Sequence, residues 1–156
     1  MKYIIREMHP NENFLLEDFL YQAIYQPDKT NLAPRSIIKQ PELQVYIKDF
    51  GTKKDDYCFC AEVDGKIVGA VWVRNINGYG SVDNNTVEFA ISVFDEYQKM
   101  GIPAIMMNEL LKNCIKNGVK YCETGPELEN NSSVQGLWKG FDAKQHKRRR
   151  CFIKEI

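Results

Sequence analysis

Between Thr86 and Val93 the chain alternates, with Val87, Phe89, Ile91 and Val93 on one side and Glu88, Ala90 and Ser92 on the other. A period of two in a run rich in β-branched and aromatic residues predicts a half-buried strand. A polar turn from Asp95 to Gly101 follows. Apolar residues then recur at helical spacing: Ile102, Ile105, Met106 and Leu110, with Met107, Leu111, Cys114 and Ile115 beside them. Asn117-Gly118 predicts the end of that helix, since glycine takes the left-handed conformation without strain. The unit is therefore strand, tight loop, helix. Such a helix aims its first free amides and the positive end of its dipole at the crevice beyond the strand, which suits phosphate oxygens. Gly101 lets an anion approach the backbone, and Gln98 and Lys99 add donors. Taken alone, the pattern is equally an ordinary turn onto a core-packing helix.

The same criteria divide the rest of the chain. Lys2 to Met8 reads as a strand that ends in a Met-His-Pro-Asn turn, with Asn11 or Asn13 available to cap a helix over Phe14 to Tyr25. Pro27, Pro34 and Pro41 forbid one continuous helix in the next region, and Leu43 to Phe50 suggests a short helix ending at Gly51. Tyr57 to Val63 and Lys66 to Ile76 read as strands joined at Asp64-Gly65, a strong hairpin signal. Residues 77–85 form a polar connection. Lys120 to Thr124 is a further strand, Asn130 or Asn131 caps a short helix through Trp138, and Ala143 to Ile156 closes the chain as a strand or bent pair.

A length of 156 residues predicts one domain with a real core. The 21 basic and 21 acidic residues cancel, so no net field recruits nucleic acid or an anionic membrane. No apolar run reaches membrane-span length and no signal-peptide pattern opens the chain, so a cytoplasmic protein is expected. The five cysteines include no CxxC pair; Cys58 and Cys60 share one side of a strand and read as buried free thiols. No cluster has metal-ligand spacing, and no metal is expected.

The run Ile91 to Ala104 resembles the acyl-CoA signature of the GNAT acetyltransferase superfamily: Gln or Arg, two residues, Gly, one residue, then Gly or Ala. Gln98 and Gly101 match, whereas Pro103 stands where the last Gly or Ala belongs and removes one amide from the cradle. YQAIYQP, QPELQVYIKDFG and AEVDGKIVGAVWVRNI are also similar to the amino-terminal half of bacterial members, so the likeness covers most of residues 1–118. Beyond, it thins to Asn131, Leu137 and Gly140-Phe141. The resemblance implies an α/β (α+β) fold, a mixed, mostly antiparallel sheet with helices on both faces.

It further implies acetyl-CoA as cosubstrate and a primary amine of a small molecule or peptide as acceptor. The pantetheine arm would bond the backbone of Ile91, Ser92 and Val93, where the central strand splays from the next. The pyrophosphate would lie on Gln98, Lys99, Met100, Gly101, Ile102, Pro103 and Ala104. Asn131 matches a position that often touches the cofactor, and is otherwise a plain helix cap. Glu88 is the candidate base that takes the proton from an ammonium; its structural alternative is an ion pair with Arg74. No acid is assigned. Trp138 occupies the family's usual tyrosine position, and Tyr121 and Cys122, read as facing the cofactor gap, either substitute or simply pack. His146 to Arg150 reads as a solvated edge strand, or as a contact for the 3′-phosphate of CoA, an acidic acceptor or RNA. A homodimer through the carboxyl-terminal strands is a family expectation. The alternative of another class is a GNAT-fold module that binds acyl-CoA or a protein without turnover.

Overall fold

A computed structural model describes residues 2–28, 30–76, 86–125, 127 and 131–145. These fall in two compact units, Met1–Gly125 and Pro126–Ile156. The first holds a five-stranded sheet in the order β1 (Tyr3–Glu7), β2 (Tyr57–Val63), β3 (Lys66–Arg74), β4 (Thr86–Val93) and β5 (Tyr121–Thr124). The first three pairings are antiparallel and β4–β5 is parallel. Helices α1 (Leu16–Ala23), α2 (Pro41–Gln44) and α3 (Ile102–Lys116) surround it. The mixed, mostly antiparallel sheet is the one the sequence implies.

Alternation along the strands sorts residues to the two faces. Cys58, Cys60, Ala70 and Trp72 join Leu16, Phe19 and Leu20 of α1 in one buried cluster. Gly69, the neighbour of Ala70, faces the other way: a Cβ there would lie 3.3 Å from Met106 Cε of α3. So α1 and α3 cover opposite faces. On α3 the buried stripe is Ile102, Met106, Met107, Leu110 and Cys114, spaced near one turn. Ile105 and Ile115, read as part of that stripe, are 39% and 75% exposed, so the apolar face is wider than the sheet can cover.

Local chemistry sets the boundaries. Asp64 and Gly65 both take positive φ, 49° and 79°, as the tightest hairpin turn requires. Gly118 (φ 77°) ends α3, and its N–H donates to the Ile115 carbonyl. Two boundaries differ from expectation. Neither Asn11 nor Asn13 caps α1; a 3₁₀ turn over Pro10–Leu15 leads directly into it, and Asn13 Nδ2 donates instead to the Phe50 carbonyl. The helix expected over Leu43 to Phe50 is α2, which starts earlier because Pro41 fills its first turn and which gives way to turns up to Gly51. The second unit holds α4 (Ser132–Trp138), capped by Asn131, whose Oδ1 accepts from the Val134 N–H at 3.5 Å. The connection 77–85, Asn130 and the basic run 146–150 lie outside the described residues, as does the final strand beyond residue 145.

Arg74, at the end of β3, is 2% exposed. Its Nε and Nη2 meet the two Asp56 oxygens at 2.8 Å each, a bidentate pair. Its remaining donors take the carbonyls of Val45, Lys48 and Asp49, and its plane lies 5.2 Å from the Phe50 ring centre. Asp56 also accepts the N–H groups of Gly51 and Lys53. Burial pushes the Asp56 carboxyl up, but the Arg74 bonds and these two amides outweigh it and hold the group below its ordinary value.

Asp56→Ala would leave a buried guanidinium unpaired and is expected to cost about 3–5 kcal/mol in urea unfolding at pH 7. Because the folded carboxyl titrates below the unfolded one, its contribution is full above the unfolded value and lost as pH falls through the folded value. The measured loss of stability between neutral pH and acid should therefore shrink in Asp56→Asn.

Candidate active site

Strand β4 is eight residues long, but its pairing with β5 stops early. Thr86, Val87, Glu88 and Phe89 lie opposite Tyr121, Cys122, Glu123 and Thr124, and nothing on β5 faces Ala90 to Val93. The Phe94 N–H bonds the Val68 carbonyl on β3. By alternation the peptide groups of Ser92 also point to β3, and those of Ile91 and Val93 point to the open edge. Of the three residues expected to offer backbone to pantetheine, Ile91 and Val93 are so placed. Ser92 spends its backbone on the ladder and turns its Oγ toward Gln22 Oε1 at 3.5 Å.

At the end of this edge the chain makes a 3₁₀ turn, Asp95–Met100, and enters α3 through Gly101 (φ 74°, ψ 0°). Only glycine adopts that conformation freely, and no atom lies within 4 Å of where a Cβ would sit. The Ile105 N–H already bonds the Gly101 carbonyl. The amides of Ile102 and Ala104 precede any i−4 acceptor in the helix, and Pro103 contributes none. Gln98 braces the turn from within: its Nε2 donates to the Val93 carbonyl and to Asp95 Oδ1, both at 2.9 Å. Lys99 and Met100 are exposed beside it. A cavity of about 370 Å³ lined by Gln22, Lys66, Phe94, Asp95 and Glu96 opens at the same end of β4, on the α1 side.

Glu88 lies at the last turn of pairing before the gap, 3% exposed and on the α1 face. Its in-register neighbours are Arg74 on β3 and Glu123 on β5. The bonds of Arg74 go to Asp56 and the carbonyls of residues 45–49. The Glu88 carboxylate instead accepts the Tyr46 hydroxyl, Oη to Oε1, at 2.6 Å. Gly125 packs against both atoms; a Cβ there would stand 3.1 Å from Glu88 Oε1 and 3.3 Å from Tyr46 Oη. The sequence marks Tyr46 as one of the aromatic residues, with Tyr21, Tyr25 and Phe50, of the region expected to build the acceptor pocket; its bond to Glu88 joins positions 42 apart and leaves no periodic mark, and nothing marks Gly125.

Other expectations are corrected. Tyr121 and Cys122 do not face the gap: they pair with Thr86 and Val87, at the far end of β5. Tyr121 is 63% exposed, and burial pushes the Cys122 thiol far up, away from acid or nucleophile chemistry. In the second unit the Trp138 indole N–H donates to both oxygens of Glu127, at 2.9 and 3.1 Å. Tyr79, another aromatic of the region expected to build the acceptor pocket, lies outside the described residues. Among the described residues no group of three His, Cys, Asp or Glu could hold a metal ion.

A family model described as the acetyltransferase (GNAT) family matches residues 20–141. The chain belongs to this family and is, by class, an acyltransferase. No curated protein sequence matches it significantly. Solved structures do. An aminoglycoside N-acetyltransferase, AAC(6′)-Iy, in complex with CoA is 14% identical with a TM-score of 0.67, over 99% of this chain and 96% of that one. The same enzyme with the bisubstrate analogue CoA-S-monomethyl-acetylneamine gives 17% and 0.62, over the whole of both chains (100% each). An N-acetyltransferase from Staphylococcus aureus Mu50 gives 15% and 0.66, over 91% and 83%. At these identities the likeness shows the fold alone.

On the other side of β4, β3 packs tightly at Gly69, where a Cβ would lie 2.8 Å from Val93 Cγ2 and 3.1 Å from the Ser92 carbonyl. Gly69→Ala should therefore destabilise the protein by about 1–3 kcal/mol in urea unfolding, as overpacking does.

Proposed function

We propose that this protein transfers an acetyl group from acetyl-CoA to a primary amine of a small-molecule acceptor, with Glu88 as the base. The observation that carries this reading is the pairing of β4 and β5, which ends at Phe89 and Thr124 directly beside a buried carboxylate. The residues fit the cosubstrate. Ile91 offers its peptide N–H and carbonyl, and Val93 its N–H, along the open edge for an amide-bearing arm, the Val93 carbonyl being taken by Gln98. Gly101 and the amides of Ile102 and Ala104 offer a short anion cradle at the positive end of α3. Asn131 caps α4, and we retain it as a contact for the nucleotide end. The similarity to aminoglycoside acetyltransferases supports a small amine as acceptor.

When bound, acetyl-CoA supplies an electrophilic thioester carbonyl and a thiolate leaving group. The protein must supply the rest. An ammonium has no lone pair, so the acceptor becomes a nucleophile only when a proton leaves it, and Glu88 takes that proton. Backbone N–H groups at the open edge stabilise negative charge on the carbonyl oxygen as it develops. Apolar walls from Trp72, Phe94 and Ala90 exclude water and strengthen those bonds. A cytoplasmic setting fits the four free cysteines among the described residues. No helix among the described residues is long and apolar enough to cross a membrane.

Calorimetric titration with acetyl-CoA, and with CoA as control, tests the cradle. Micromolar binding is expected, whereas no binding at millimolar concentration would sink the proposal. Glu88→Gln should lower turnover about 100-fold or more while leaving acetyl-CoA affinity intact. Pro103→Ala restores one amide to the first turn of α3 and should tighten CoA about 3- to 10-fold, the worth of one added hydrogen bond.

A further inference from the structure

We propose that Tyr46 is the positioning residue of this active site: its hydroxyl holds the Glu88 carboxylate in the orientation and charge state in which it accepts the acceptor's proton. The inference rests on the reading of Glu88 as base, and adds a second residue to it. Its ground is geometric. The Oη–Oε1 distance of 2.6 Å is that of a hydroxyl donating to a charged oxygen. The phenol is not a loose surface group. It belongs to the segment whose carbonyls at Val45, Lys48 and Asp49 are held by buried Arg74, and the next residue, Ile47, is in the core. On the other side of the bond lies Gly125, where a Cβ would stand 3.1 Å from Glu88 Oε1 and 3.3 Å from Tyr46 Oη. A side chain fixed on three sides can fix another at little entropic cost.

The chemistry follows from what a neutral donor does. A carboxylate oxygen engaged by O–H cannot swing, so the acceptor's N–H meets a set direction. The bond also favours the ionised form, which is the form a base needs. Among the described residues, the charged groups in register with Glu88 are Arg74 on β3 and Glu123 on β5, and Arg74 is paired with Asp56. Their effects oppose one another and are unchanged when only the Tyr46 hydroxyl is removed.

The test is Tyr46→Phe, which deletes one oxygen and keeps the ring. In a ¹³C-carboxyl NMR titration of the labelled protein, the Glu88 signal is identified by its loss in Glu88→Gln. In Tyr46→Phe that signal should titrate about one pH unit higher than in the wild type. Thiol release from acetyl-CoA, with neamine and a panel of aliphatic diamines as probe amines, should show kcat reduced about 10-fold at pH 7 with the acetyl-CoA KM unchanged. In a Glu88→Gln background the same change should cost nothing further. A merely structural tyrosine would lower thermal stability and leave the Glu88 titration where it was; that result overturns the proposal. So does multiplication of the two losses in the double variant. Turnover unchanged in Glu88→Gln would instead remove Glu88 as base, whatever the titration shows. If Tyr46→Phe does not fold, Gly125→Ala pushes a methyl group against the same two atoms and should shift the titration in the same direction.

Discussion

A guanidinium buried at the end of a central strand governs both the stability and the site of this protein. Arg74 leaves water completely, and desolvating such a charge costs several kcal/mol unless it is paired and fully bonded. Asp56 supplies the pairing, and three carbonyls from the turn after α2 supply the bonding. That requirement reaches across the fold. The turn over residues 45–51 has little regular structure of its own, with Asp49 and Gly51 both at positive φ. It keeps one shape because the cation beneath it would otherwise be unsatisfied. Tyr46 rides on that turn, and through it the sheet's electrostatics set where a phenol can meet a carboxylate.

The second constraint is a pairing left incomplete. A parallel partner normally satisfies every peptide group on its side of a strand. Here β5 has four residues against eight in β4, and the unpaired half of β4 lies beside the amino-terminal end of α3. Free backbone donors on a strand edge and on a helix terminus thus converge without any charged side chain being required. Gln98, the signature residue, holds this convergence together by bonding Val93 and Asp95.

What the sequence made legible follows the range of the interactions. Strand β4, the Asp64-Gly65 hairpin, α3 with its glycine ends, and the Asn131 cap are written in neighbouring residues, and all are found where periodicity and turn chemistry put them. Glu88 is picked out by its side of the strand, and in the structure it is buried on the α1 face. Long-range assignments did not survive equally. Tyr121 and Cys122 were read toward the gap because their strand borders it, yet register puts them at its closed end. The width of the apolar stripe on α3 was overread, since Ile105 and Ile115 obey the helical period and still face solvent. Tyr46 is legible only as an aromatic of the expected acceptor region and Asp56 not at all, since their bonds to Glu88 and Arg74 are fixed by the tertiary fold.

The division of labour between Arg74 and Tyr46 explains why a charged pair would have been a poor solution at Glu88. The two strands bring Arg74 and Glu88 into direct register, and an ion pair between them is the simplest expectation. A guanidinium bound to the base would favour its charged form so strongly that it would accept a proton reluctantly, and would occupy the oxygens that must face the amine. Asp56 pairs with the cation, Arg74 Nε to Asp56 Oδ1 at 2.8 Å. The carboxylate then takes a neutral donor, which orients it and favours ionisation to a smaller extent. On this argument the structural ion pair and the proposed base are parts of one arrangement, in which Asp56 holds Arg74 in the core.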